Sequence, residues 1–129
     1  MNKDILHLPV WAVVGANDNP AKFGCKIYKF MKKAGYEVLP VNPGLKTVNG
    51  EPCYPSLLDL PQKPDAIDVV IPPKSGEQVL RDAAEAGIQH VWLQPGAESD
   101  ALIALGEELG LNVIHHDCIM TAVNCRKER

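Results

Sequence analysis

The chain has 129 residues, 46% of them hydrophobic and 22% charged, with a formal net charge of −3 at pH 7. That length suits one domain with a real core and is too short for two, so a single domain over residues 1–129 is expected. The acidic balance excludes nucleic-acid binding driven by overall charge, and no apolar run approaches membrane-spanning length, so neither nucleic acid nor membrane is an expected partner.

The first residues, Met1 to His7, lack the apolar region of a signal peptide. The four cysteines, Cys25, Cys53, Cys118 and Cys125, form no C-x-x-C pair and suggest no disulfide framework. A cytoplasmic location with reduced thiols is expected.

Val10–Val14 is an unbroken apolar run, as expected for a strand covered on both faces. It runs into Gly15-Ala16-Asn17-Asp18-Asn19-Pro20, where Asn19 is expected to cap a helix with Pro20 in its first turn. Phe23, Ile27, Phe30, Met31 and Ala34 follow at helical spacing, and Gly35 fits a left-handed stop. Residues 36–41 read as the second strand, ending at Asn42-Pro43-Gly44. Residues 45–63 are the least regular part: Asn49-Gly50 signals a turn and several prolines break up anything long. One helical turn capped by Ser56 is expected there. Residues 66–71 form the third strand, stopped by Pro72-Pro73.

Ser75 and Gln78 have capping-box spacing at the head of the next helix, whose buried stripe is Val79, Leu80, Ala83 and Ala84 and whose end is Gly87. Residues 88–93 are the fourth strand, halted at Gln94-Pro95-Gly96. Ser99 or Asp100 caps a last long helix, with Ala101, Leu102, Leu105 and Leu109 inward and Gly110 closing it. Residues 111–114 are the fifth strand, followed by His115-His116-Asp117-Cys118 and a short tail with basic residues.

Three times a helix stops at glycine and a strand starts at once: Gly35-Tyr36, Gly87-Ile88 and Gly110-Leu111. Tight joints at strand entrances and longer Pro-, Gly- and Asn-bearing loops at strand exits mark a doubly wound parallel sheet. The expected fold is a five-stranded, Rossmann-like three-layer α/β/α domain of strand order 3-2-1-4-5. Ligands in such folds sit outside the carboxyl ends of the strands, where the order reverses.

The loop from Gly15 to Gly24 leaves backbone N–H groups and a helix N-terminus facing that crevice, a place for an anionic group such as a phosphate. A dinucleotide is the default ligand, but G-x-G-x-x-G is absent, and Asn42-Pro43 stands where NAD binders place an acid for the ribose. Lys46, just beyond, suits a ribose that carries a phosphate, as in coenzyme A or NADP.

These residues carry a family resemblance. Val13-Val14-Gly15-Ala16 with Pro20 and Gly24, Val41-Asn42-Pro43, Tyr54-Pro55-Ser56-Leu57, Trp92-Leu93-Gln94-Pro95-Gly96-Ala97 and Cys118-Ile119-Met120 span nearly the whole chain. In them the sequence resembles the small stand-alone CoA-binding proteins related to the CoA-binding domain of the succinyl-CoA synthetase alpha subunit. The resemblance implies coenzyme A or an acyl-CoA lying across the strand ends. The Gly15–Gly24 loop, with Ala16, Asn17, Pro20, Lys22 and Phe23, would hold the pyrophosphate. Asn42, Pro43 and Lys46 would border the adenosine and its 3′-phosphate, Pro72 and Pro73 would shape the wall, and Gln94-Pro95-Gly96 would lie along the pantetheine arm. The synthetase's phosphorylated histidine belongs to a second domain, so ligase activity is not carried over. No catalytic residue is expected. The chain is read as a non-catalytic carrier, sensor or partner subunit, with a homodimer or a separate enzyme as its protein partner.

Cys118, on the same rim, is a candidate to approach the CoA thiol and form a mixed disulfide under oxidation. His115, His116, Asp117 and Cys118 are read as a polar strand exit rather than a metal site. Zinc needs ligands at defined spacing, and successive strand residues point to opposite faces. Two alternatives stay open: an NAD(P)-binding oxidoreductase or redox sensor, and an interaction module without a ligand that docks through residues 45–63.

Overall fold

The computed structural model describes residues 5–127, with side chains through residue 125. β1 (Val10–Val14) alternates as a strand covered on both sides must: Trp11 and Val13 enter one core, Ala12 and Val14 the other. Along the chain follow α1 (Phe23–Lys33), β2 (Glu37–Val41), the short β3 (Thr47–Val48) and β4 (Glu51–Pro52), and β5 (Ala66–Val69). The second half holds α2 (Gly76–Ala86), β6 (His90–Leu93), α3 (Asp100–Glu108), β7 (Asn112–Ile114) and α4 (Ile119–Lys127). Single 3-10 turns occupy Leu57–Asp59 and Pro73–Ser75.

Among the described residues the main sheet has five parallel strands in the order β2-β1-β5-β6-β7, and β3 pairs antiparallel with β4. Helices α1 and α4 pack on the face of Trp11, Val13 and Trp92, while α2 and α3 pack on the face of Ala12, Ile67 and Leu93. The doubly wound α/β/α fold is therefore present. Numbered within the main sheet alone, however, its strands run 2-1-3-4-5, which corrects the expected 3-2-1-4-5.

Pro40 supplies the physical reason. It has no N–H to donate, so β2 can pair fully along one side only, which confines it to an edge. Its carbonyl accepts the N–H of Tyr54 at 3.1 Å, and only an isolated Val41–Tyr54 bridge lies where a further strand would have been. The irregular segment thus covers the β2 edge. It turns at Asn49 and Gly50, both at positive φ (50° and 82°), as a two-residue hairpin of the I′ kind requires.

Four local expectations change. α1 starts at Phe23, not beside Asn19, because asparagine side chains capture the preceding backbone. Asn17 Oδ1 accepts the Asn19 N–H at 2.7 Å, and Asn19 Oδ1 accepts that of Ala21 at 3.0 Å. Ser75 makes no side-chain cap, since it closes a 3-10 turn with helical backbone angles. Ala101 is exposed on α3. The segment expected as a short tail forms α4, which buries Ile119 and Val123. Ser56 and Ser99 cap as expected, accepting the N–H groups of Leu58 and Leu102.

The α1 face is built around two indoles. Trp11 meets Trp92 edge-on, with ring centroids 6.4 Å apart, and each indole N–H donates to a backbone carbonyl, Leu8 and Asp117 respectively. Burying such side chains contributes roughly 1.5–3 kcal/mol apiece. Asp68 lies in register between Val13 and Trp92, wholly buried, and neither carboxyl oxygen has a hydrogen-bond partner. Burial pushes its carboxyl well above the ordinary range.

The tightest backbone contact joins the first loop to α1. A Cβ built on Gly24 would lie 1.9 Å from the Gly15 carbonyl oxygen, so only hydrogen fits there. Gly24 thus plays the part of the packing glycine that lets a helix sit directly on its strand.

Gly24→Ala is expected to cost roughly 2–3 kcal/mol, seen as a lower urea midpoint at unchanged slope. Asp68 gives a pH-dependent outcome. Its folded carboxyl holds the proton to higher pH than the unfolded one, so stability is greatest below about pH 3.9 and declines as pH rises toward the folded value. Asp68→Asn should therefore raise the melting temperature at pH 7, with the gain shrinking toward pH 4. A gain that is the same at both pH values would contradict this account.

Candidate functional site

The carboxyl ends of the parallel strands open on one rim, and the winding reverses between β1 and β5. A cleft of about 390 Å³ opens there. Val14 and Gly15 at the exit of β1 and Val41, Asn42 and Pro43 at the exit of β2 form one side. Pro55, Ser56 and Leu57 close the outside, while Ile71, Pro72, Ser75, Gln78, Val79 and Asp82 bring in the β5 exit and α2. A second cleft of about 400 Å³ runs on toward β6, lined by Phe23, Val70, Ile71, Pro72, Pro95, Gly96 and Ala97. Ile71 and Pro72 border both, so the two form one groove across the strand ends.

Gly15 forms part of the floor. Its φ is +101°, and a Cβ would stand 2.9 Å from Ile71 Cγ2 and 3.0 Å from the Val70 carbonyl oxygen. Only glycine lets the loop pass flush along the floor of the groove. The head of α1 faces this loop with no side-chain cap at Lys22. The N–H groups of Cys25 and Lys26 turn back to the Lys22 carbonyl, so those of Phe23 and Gly24 precede the helical ladder and are suited to an anion.

The structure gathers part of the expected site. Gly15, Asn42, Pro43 and Pro72 line the first cleft, and Phe23, Pro72, Pro95 and Gly96 line the second. Asn42 has its side chain committed: Nδ2 donates to the Ala16 carbonyl at 2.9 Å, and Oδ1 accepts the Gly44 N–H at 2.8 Å. It ties the β1 loop to the β2 loop and fixes the width of the crevice. Ala16 is buried, Gly24 lies under Gly15, and Pro20 and Lys22 are exposed on the loop. Asn17 spends its carbonyl oxygen on the loop's own turn.

Other expected residues sit apart from the groove lining. Lys46 is exposed at the head of the hairpin, its carbonyl accepting the Cys53 N–H. Pro73 opens the 3-10 turn next to Pro72. Gln94 is fully buried and joins β6 to α4: Oε1 accepts the Ile119 N–H at 2.9 Å, and Nε2 donates to Cys118 Sγ at 3.4 Å. Cys118 is half-buried at the head of α4. Cys53 Sγ donates to the Asn42 carbonyl at 3.7 Å, and burial pushes its thiol up, partly offset by backbone hydrogen bonding at Asn42 and Tyr54.

Ser56, Leu57, Ser75, Gln78 and Val79 also line the cleft, beyond the residues expected there. The usable signal was Pro40. Once β2 is an edge strand, the segment after it must fold back beside the crevice, and α2 becomes the wall that follows β5. Among the described residues no helix is long and apolar enough to cross a membrane, and all four cysteines are unbridged.

Known proteins share this arrangement. A chain from Pyrococcus furiosus, described as a conserved hypothetical protein, superposes with a TM-score of 0.84 at 44% identity, covering 88% of this chain and 98% of that one. The Bacillus subtilis protein YneT is 30% identical over 111 residues, 86% of this chain and 82% of its own length. The alpha subunit of the P. furiosus ADP-forming acetate–CoA ligase II is 28% identical over 119 residues, 84% of this chain. The chain spans only 26% of that ligase subunit, and 18% and 13% of two related Archaeoglobus fulgidus ligases. The sequence pattern of the CoA binding domain family matches residues 9–124, from the entry of β1 into α4 and so across every element that borders the groove. With a glycine-floored loop, an amide-tied β2 exit and that match, the chain belongs to the CoA binding domain family.

Proposed function

We propose that this protein binds coenzyme A or an acyl-CoA along the groove and catalyses no reaction itself, acting in the cytoplasm as a carrier, a sensor or the partner of a separate enzyme subunit. One domain over the whole chain suffices for that role. The observation that carries the reading is the β2 exit. Asn42 stands there as a structural amide, where a dinucleotide site presents a carboxylate to the ribose. The family match supports coenzyme A as the ligand class.

In this reading the adenosine lies in the cleft between Pro43 and α2, with its 3′-phosphate toward Lys46. The pyrophosphate crosses Gly15 and meets the head of α1 with Lys22. The pantetheine arm runs past Phe23 and Pro72 toward Pro95 and Gly96. The ligase relatives carry the corresponding domain as about a quarter or less of a longer chain, which supports a binding role for the domain rather than a catalytic one.

Calorimetric titration with CoA, acetyl-CoA, 3′-dephospho-CoA, NADH and NADPH tests the proposal. Saturable binding of CoA and acetyl-CoA is expected, with no response to NADH. Lys46→Ala should weaken CoA by about tenfold, the loss of one charge-assisted hydrogen bond, and leave dephospho-CoA unchanged. Binding of NADH with no response to CoA would overturn it.

A further inference from the structure

Beyond the groove, the exit of β7 brings together three side chains of metal-binding type. β7 ends at Ile114, and two residues on, His116 has a φ of +62°, a left-handed conformation that is costly for a residue with a Cβ. The strand alternation that would send successive side chains to opposite faces stops there. The imidazoles of His115 and His116 converge instead, with ring centroids 4.7 Å apart and their Nδ1 atoms 2.5 Å apart. At that distance the two nitrogens face one another closely enough to share a single hydrogen or, once parted, a single cation.

A carboxylate arrives from a different segment. Glu98 follows Ala97 at the exit of β6, and its Oε2 accepts the His116 backbone N–H at 2.6 Å. That bond aims Oε1 at the imidazole, 3.7 Å from His116 Nε2. One ligating atom from each of Glu98, His115 and His116 lies within 4.8 Å of the other two. The Glu98 side chain is 16% exposed and that of His116 66%, so the carboxylate forms the base of the cluster while the imidazole meets solvent.

We propose that Glu98, His115 and His116 form a binding site for a divalent transition-metal ion such as zinc or cobalt. Two neutral imidazoles with one carboxylate select the borderline ions over calcium and magnesium, which prefer all-oxygen shells. Nitrogens on one tetrahedral ion of this kind stand about 3.3 Å apart, so the two rings must part by roughly 0.8 Å to admit it. Three protein ligands leave the solvent side of the ion open to water or to an added ligand. The site depends on neither the groove nor coenzyme A.

Metal-free protein titrated with cobalt(II) chloride gives the test. One equivalent is expected to bind with visible absorption bands, to be displaced by zinc, and to show no near-ultraviolet thiolate-to-cobalt band. Glu98→Gln, His115→Gln and His116→Asn should each weaken it by about tenfold or more. Asparagine tolerates the left-handed backbone, so His116→Asn removes the imidazole without adding strain. Circular dichroism of each variant verifies the fold, and the cobalt-induced rise in melting temperature should fall in parallel. Absence of saturable binding, a thiolate band, or affinity unchanged in the three variants would overturn the proposal.

Discussion

The contact between Gly15 and Gly24 is the constraint on which the groove depends. Carbonyl oxygen and α-carbon lie so close that no side chain can separate them, and this seats the head of α1 on the end of β1. Because α1 cannot lift, its first N–H groups remain at the level of the strand ends instead of above them. The loop between the glycines is then closed by its own asparagines, so these turns are held without calling on the cleft for partners. Asn42 extends the same scaffold to β2 by holding the Ala16 carbonyl. The floor of the groove thus arises from backbone contacts, and its walls are mostly apolar side chains.

Much of this could be read from the chain itself. Val10–Val14 forms a strand at the residues expected, since an unbroken apolar run beside a glycine loop has few other ways to be buried. The glycines after α2 and α3 stop their helices in the left-handed conformation. What escaped were competitions between weak local signals. Asn19-Pro20 looked like a helix start, yet side-chain hydrogen bonds from Asn17 and Asn19 held the backbone in turns for three more residues. The strand order differs from the expected one although Pro40 carries the answer, because a proline in a short apolar run reads more readily as a strand interruption than as an edge marker. α4 has little amphipathic pattern of its own and is held by tertiary partners, Gln94 at its head and the Trp92 face beneath it, so periodicity could not reveal it.

The α1 face also shows how polar groups are handled in a small core. Gln94 is as deeply buried as the tryptophans, yet both ends of its amide are engaged, and it fastens a helix to a strand end. Asp68, one strand away, has no such partner, and burial alone pushes its carboxyl well above the ordinary range. The first arrangement specifies a geometry, whereas the second lowers stability at neutral pH. Their proximity puts a rigid junction and an energetic weak point on the same side of the sheet.

The way β2 is finished has a consequence for the behaviour of whole molecules. A parallel sheet with a bare edge offers its backbone to any passing strand, and chains can then add without limit. Here one margin contains a proline and is covered by the returning Tyr54 segment, while the opposite margin, β7, is only three residues long. Neither margin is a long flat template. The Pro40 that set the strand order therefore also protects the sheet from strand-by-strand polymerisation.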